Sequence, residues 1–133
     1  MNDIKDETQK KVLTLSSLSH TWILDLDGTL VEHNGYKIYG EDKWLPGALE
    51  FLKSIPADDM IVFLTSRKAE FADLTEAFLK KYGIVWDHMI YEAPYGERIV
   101  LNDRKRSGLQ MAYAINGDRD QMMDLALKID NSL

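Results

Sequence analysis

The sequence contains no cysteine, and it has no apolar run long enough to cross a membrane. Without cysteine, a disulfide scaffold, a thiolate zinc site and a cysteine nucleophile are all excluded. A membrane-spanning helix needs about 20 consecutive apolar residues, and no stretch approaches that length. The polar, acidic opening from Met1 to Glu7 is unlike a signal peptide. We therefore expect a soluble, cytoplasmic protein that does not bind membranes.

Basic residues are outnumbered by acidic ones, and the formal net charge is −6 at pH 7. This balance disfavours nucleic acid as a partner, because nucleic-acid-binding surfaces are basic. The chain has 133 residues, of which 45% are hydrophobic, a size and composition typical of one globular domain. We predict a single domain over 1–133, in which 1–20 form an N-terminal helix or arm.

Apolar runs of strand length alternate with amphipathic stretches along the chain. Strands are predicted at 22–27, 60–64, 88–91, 98–101 and 111–115, and helices after Pro46, over 68–82 and over 118–129. This alternation is typical of an α/β protein, here a three-layer Rossmann-like fold with a central parallel sheet of about five strands. Ligands of such sheets bind at the carboxyl ends of the strands. Polar residues follow predicted strands at 25–29, 65–67 and 102–103.

Two carboxylates end the first of these strands. In an extended backbone, Asp25 and Asp27 project to the same side because they are two residues apart. Neighbouring carboxylates repel each other unless a cation lies between them. Mg²⁺ prefers such oxygen ligands, so the pair predicts a magnesium site.

The sequence Asp-Leu-Asp-Gly-Thr at 25–29, directly after an apolar strand, resembles the first motif of the haloacid dehalogenase superfamily of phosphohydrolases. Thr65-Ser66-Arg67 resembles the second motif, and Asn102-Asp103 resembles the acidic fourth motif. The resemblance covers residues 21 to about 116. Of the three motifs the first is the most specific.

The resemblance implies a Mg²⁺-dependent phosphomonoester hydrolase that acts through an aspartyl-phosphate. Asp25 is then the nucleophile, and Asp27 is the general acid and base. Mg²⁺ is held by the carboxylates of Asp25 and Asp103 and by the backbone carbonyl of Asp27. The hydroxyl of Thr65 contacts the phosphoryl group as a further catalytic residue. The remaining phosphate-binding residues are expected to be Gly28, Thr29, Ser66 and Arg67.

One position departs from the superfamily pattern. The third motif of the superfamily is a lysine, and in small members of this layout it often precedes a proline, where this chain has Ala93-Pro94. Arg98 is our preferred replacement as a catalytic residue, because it leads into the predicted strand before Asn102-Asp103. A residue of the basic run 104–106 is the second candidate. The third interpretation is that no residue replaces the lysine and that the protein is a catalytically impaired binding or regulatory domain. For Arg98, the alternative to a catalytic role is a surface ion pair with Glu92 or Glu97.

The short segments between the motifs leave no room for a cap domain. Such capless members have an open site, which suits a large substrate or one that a partner subunit of a homo-oligomer covers. The chain resembles small capless phosphatases associated with surface-polysaccharide sugars. A sugar phosphate or related metabolite is therefore the expected substrate, and transfer to an acceptor other than water stays open.

Overall fold

The computed structural model describes residues 11–121 and 123–133. It is a mixed α/β structure in which every paired strand runs parallel to its neighbour. The strands are β1 (Lys11–Leu15), β2 (Thr21–Leu24), β3 (Met60–Leu64), β4 (His88–Ile90) and β5 (Leu125–Ile129). The helices are α1 (Gly35–Tyr39), α2 (Ala48–Ser54) and α3 (Ala72–Lys81), and a 3₁₀ turn, Ala69–Phe71, precedes α3. No helix within the described ranges is long and apolar enough to span a membrane.

A three-stranded sheet in the order β2-β3-β4 carries the candidate site. Thr21 lies opposite Met60, and Val62 lies opposite His88. Parallel neighbours need long connections, and here the segment with α1 and α2 joins β2 to β3, while α3 joins β3 to β4. The carboxyl ends of the three strands therefore lie at one edge of the sheet.

The prediction of one central sheet of about five strands is wrong in its extent. β1 and β5 pair only with each other among the described residues, in a second sheet where Leu15 lies opposite Ile129. The predicted strands 98–101 and 111–115 do not form. Ile99 and Leu101 are 88% and 98% exposed, and neither belongs to a strand. These apolar side chains are therefore not buried by pairing with a neighbouring strand.

Both ends of the chain differ from the predicted helices. Residues 11–15 form β1, and 1–10 of the predicted helix or arm lie outside the described residues. The predicted helix 118–129 is also wrong, because Leu125–Ile129 forms β5. Five residues are too few to show whether the apolar side chains repeat with the period of a helix or of a strand, so pairing with a distant strand decides the conformation of this segment.

The helices around the site agree better with their predictions. α2 follows Pro46 and begins after Gly47, whose φ of +82° favours glycine. α3 falls within the predicted 68–82 and ends shortly before Gly83. The short helix α1 lies between β2 and α2, where no helix is predicted.

The core lies between these helices and the β2-β3-β4 sheet. Its buried members are Leu26, Leu30, Val31, Leu45, Ala48, Phe51, Leu52, Ile55, Ile61, Phe63, Phe78, Leu79 and Ile84. Trp44 packs against this core, with its ring centroid 5.0 Å from that of Phe78 and 5.7 Å from that of Tyr82. Trp44 therefore contributes to core packing.

Candidate functional site

A tight turn after β2 presents the two aspartates. Leu26 is 1% exposed, so its burial anchors the turn and leaves the flanking Asp25 and Asp27 outside the core. The amides of Thr29, Leu30 and Val31 all donate to the carbonyl of Leu26, at 3.2, 2.9 and 3.1 Å. This turn requires a positive φ of 80° at Gly28, a conformation that residues other than glycine rarely adopt. The amide of Gly28 donates to Val31 O at 2.7 Å, so its N–H group is already engaged in a hydrogen bond within the turn.

Asp25 is partly exposed and has one hydrogen-bond donor at each carboxylate oxygen. The hydroxyl of Thr29 donates to Oδ2 at 2.8 Å, and Nη1 of Arg98 donates to Oδ1 at 3.1 Å. Nη2 of Arg98 lies 3.5 Å from Oγ of Ser66, which follows β3. The structure thus brings together four residues that the sequence singled out, Asp25, Thr29, Ser66 and Arg98.

The position of Arg98 separates the interpretations offered for it. Its ion pair is with Asp25 and not with Glu92 or Glu97. Side chains of the alternative basic run, 104–106, are exposed, and none forms an ion pair with a carboxylate in the ranges the structure describes. The backbone amide of Ala93 donates to Thr65 O at 3.0 Å, so this position contributes a main-chain contact near the site.

Asp27 is held by Arg67 through both of its carboxylate oxygens. Nε of Arg67 donates to Oδ2 at 2.9 Å, and Nη2 donates to Oδ1 at 3.0 Å. The side chain of Asp27 is 17% exposed, whereas that of Arg67 is 1% exposed. This two-point contact fixes the plane of the Asp27 carboxylate.

Arg67 also binds a second carboxylate, that of Asp42. Nη1 donates to Oδ2 of Asp42 at 2.9 Å, Nη2 donates to Oδ1 at 2.6 Å, and Nη1 donates to Oγ1 of Thr75 at 2.9 Å. The guanidinium lies 4.1 Å from the centroid of the Tyr36 ring. Burial by itself lowers the pKa of Arg67, but the hydrogen bonds to Asp42 and Asp27 outweigh it and raise the pKa above its ordinary value.

These contacts change the role expected of Arg67. A guanidinium has five N–H donors, and all five donate to Asp27, Asp42 and Thr75. None is left for a substrate phosphate, so in this structure Arg67 holds protein carboxylates and does not act as the predicted phosphate ligand.

The other two residues of the second motif, Thr65 and Ser66, differ from each other in exposure and in contacts. Thr65 is 1% exposed, and its Oγ1 accepts the amide of Arg67 at 3.1 Å. The hydroxyl predicted to contact the phosphoryl group therefore shapes the turn after β3. Ser66, in contrast, is partly exposed and lies beside Arg98.

The predicted magnesium ligands do not form a metal-binding group of side chains in the described part of the chain. Asp103 is exposed, and Nδ2 of Asn102 donates to its backbone carbonyl at 3.1 Å. The oxygens of Asp25 and Asp27 are engaged by Thr29, Arg98 and Arg67 as described above. Across 11–121 and 123–133, no group of three or more His, Cys, Asp or Glu side chains could hold a metal ion. The arrangement seen here does not fit the predicted Mg²⁺ site, and dependence on Mg²⁺ stays a prediction.

Several residues beside the turn carry no signal in the sequence. Asp42, two residues after Gly40, shows no pattern that distinguishes it from a solvated acid. The amide of Asp120 donates to Gly28 O at 2.9 Å, and its Oδ1 accepts the amide of His33 at 2.8 Å. A Cβ at Gly28 would lie 3.0 Å from Cγ of Arg119, so segment 119–120 packs directly against the turn.

Comparisons with protein-family models, with curated proteins and with solved structures returned no match for this chain. The resemblance to the haloacid dehalogenase superfamily therefore rests on the three short motifs and on the placement of the first two of them directly after the neighbouring parallel strands β2 and β3.

Proposed function

We propose that this chain is a phosphomonoester hydrolase in which Asp25 attacks phosphorus. The observation that carries the proposal is the pair formed by Asp25 and Arg98 at the carboxyl end of β2. A partly exposed carboxylate is a suitable nucleophile, and a cation beside it offsets its repulsion of an anionic phosphate. In the described site, the other cation, Arg67, is buried and has all its N–H donors engaged, so only Arg98 combines partial exposure with a contact to a carboxylate.

The first chemical step forms a bond between one Asp25 oxygen and phosphorus and breaks the bond between phosphorus and the ester oxygen. Arg98 is at a distance from which it can shift from Asp25 to the phosphoryl oxygens as negative charge moves onto them. The hydroxyl of Thr29 orients Asp25 through its bond to Oδ2. In this proposal Asp27 protonates the departing oxygen.

The second step returns the enzyme to its starting state. A water molecule attacks the aspartyl-phosphate, Asp27 accepts the proton of that water, and inorganic phosphate leaves. Transfer to another acceptor differs only in replacing the water with an alcohol or a second phosphate. We propose water as the acceptor and a sugar phosphate as the substrate, both on the resemblance stated above. A homo-oligomer that covers the open site stays a prediction.

A non-catalytic phosphate-binding domain is the second candidate. Two observations favour it: the third-motif lysine is replaced at Ala93, and the predicted metal ligands do not form a metal-binding group of side chains in the described part of the chain. Under this alternative, Arg98 and Ser66 bind a phosphorylated ligand without turnover.

Release of inorganic phosphate from a panel of phosphomonoesters, each with Mg²⁺ and with EDTA, separates the two candidates. The proposed function predicts turnover that Asp25→Asn lowers by several orders of magnitude, because the variant has lost its nucleophile. The control is Asp58→Asn, which changes an exposed carboxylate outside the site. Binding of phosphomonoesters without turnover by the unmodified chain would support the binding domain, and near-normal turnover by Asp25→Asn would rule out the proposed mechanism.

A further inference from the structure

The buried guanidinium of Arg67 connects four segments of the chain. Asp27 belongs to the turn after β2, Arg67 follows β3, and Thr75 belongs to α3. Asp42 and Tyr36 come from segment 31–45, which connects the aspartate turn to α2. The orientation of Asp27 therefore depends on contacts made far from the turn itself.

Asp42 is the residue that keeps Arg67 in place. It accepts one N–H from each terminal nitrogen of the guanidinium, and its side chain is only 2% exposed. Without these two acceptors, Nη1 would keep only Thr75 as a partner, and the buried cation would keep only one carboxylate. A buried ion pair that loses one member leaves the other group free to seek new partners. The guanidinium group of Arg67, which fixes the plane of the Asp27 carboxylate, would then be free to rotate.

We propose that Asp42 and Arg67 are positioning residues for Asp27, and that Asp42 acts on Asp27 only through the guanidinium. This inference rests on the proposed function, in which Asp27 transfers the proton. Since both positioning side chains are buried, neither is expected to touch substrate. Their loss should therefore lower turnover without weakening substrate binding.

The dependence on the leaving group distinguishes positioning from a general structural role. A sugar alkoxide needs a proton as it departs, whereas p-nitrophenolate is stable enough to leave without one. Misplacing Asp27 should therefore slow the first step, formation of the aspartyl-phosphate, more with a sugar phosphate than with p-nitrophenyl phosphate. A general loss of structure would slow both reactions equally.

The experiment measures kcat/KM for Asp42→Asn with p-nitrophenyl phosphate and with the sugar phosphate that the unmodified chain hydrolyses fastest. This quantity reports the steps up to departure of the leaving group, so the later hydrolysis of the aspartyl-phosphate, which also uses Asp27 and is common to both substrates, does not contribute to it. We expect kcat/KM for the sugar phosphate to fall at least ~10-fold, within the range of general acid catalysis, and that for p-nitrophenyl phosphate to fall less than about threefold. Arg67→Lys should show the same pattern, because an ammonium cannot bind two carboxylates in the two-point manner of a guanidinium.

The matched control is Asp59→Asn, which removes another buried carboxylate. Asp59 accepts the amide of His20 at 3.0 Å and Nε1 of Trp22 at 2.9 Å, so its role is structural. We expect this variant to lower the melting temperature and to leave the ratio of the two kcat/KM values unchanged. If Asp42→Asn does not fold, Thr75→Val decides the question, because it removes a single uncharged acceptor of Arg67. It should lower kcat/KM for the sugar phosphate selectively.

Two results would overturn the inference while the proposed function stands. One is an equal loss of kcat/KM with both substrates in Asp42→Asn, and the other is unchanged kinetics in folded Asp42→Asn or, failing that, in Thr75→Val. Absence of turnover in the unmodified chain would instead contradict the proposed function, and this inference with it.

Discussion

Arg98 is the side chain beside Asp25 whose removal should be most visible in the rate. A fixed cation near a transferring phosphoryl group stabilises the charge that develops there by several kcal/mol. We expect Arg98→Ala to lower kcat/KM at least ~100-fold, about 2.7 kcal/mol at roughly 1.36 kcal/mol per decade. Steady-state phosphate release measures the effect.

Lys105→Ala is the control for loss of positive charge alone, since Lys105 is exposed and belongs to the basic run without an ion pair. Its effect should be confined to substrate capture and should decrease as salt is added. If Ala93→Lys raises the rate strongly and Arg98→Ala leaves it unchanged, Arg98 does not replace the missing lysine.

At the scale of single residues, the sequence predicted a nucleophile candidate and its cation but not what surrounds them. Arg98 lies beside Asp25, although the strand that motivated the choice of Arg98 does not form. Asp42 could not be predicted, because an acid in a glycine-containing loop is most often solvated. Its burial depends on Arg67, and no local pattern connects two residues 25 positions apart.

At the scale of elements, the pairing of β1 with β5 is the largest departure from expectation, and the absence of cysteine makes it easy to test. Leu13 lies opposite Leu127 in the register of the two strands. Neighbouring strands are about 4.8 Å apart, within the separation that a disulfide can bridge. We expect the double variant Leu13→Cys with Leu127→Cys to form an intramolecular disulfide on mild oxidation, detected by mass spectrometry.

The matched control is Leu13→Cys with Lys128→Cys. Successive side chains of a strand point to opposite faces, so this pair should crosslink poorly. Equal crosslinking of both pairs, or no crosslinking of Leu13→Cys with Leu127→Cys, would contradict the β1-β5 register.

The elements that could be predicted are those whose signals are local. β3 is an uninterrupted apolar run, and α3 has helical spacing with Gly83 just beyond its end. β5 has no such signal, because Leu, Ala and Lys are also good helix formers. Its strand conformation comes from pairing with a segment at the other end of the chain, which a window of a few residues cannot show.

At the scale of the whole molecule, the parallel β2-β3-β4 sheet explains why residues distant in sequence meet at one edge. The turn after β2 supplies Asp25, the turn after β3 supplies Ser66, and the segment beyond β4 supplies Arg98. The α/β class and this meeting point follow from the alternation of strands and helices. The extent of the sheet does not, because it depends on which distant strands pair.

The proposed mechanism requires a covalent bond between Asp25 and phosphorus, and this bond can be trapped. The unmodified chain is mixed with its fastest substrate, quenched in acid within the first turnovers and digested, and the peptides are analysed by mass spectrometry. Acyl phosphates survive acid and are lost at alkaline pH, which identifies the adduct. We expect a phosphoryl group on Asp25 that is absent from Asp25→Asn. Turnover with no such adduct, or with the phosphoryl group on another residue, would rule out Asp25 as the nucleophile.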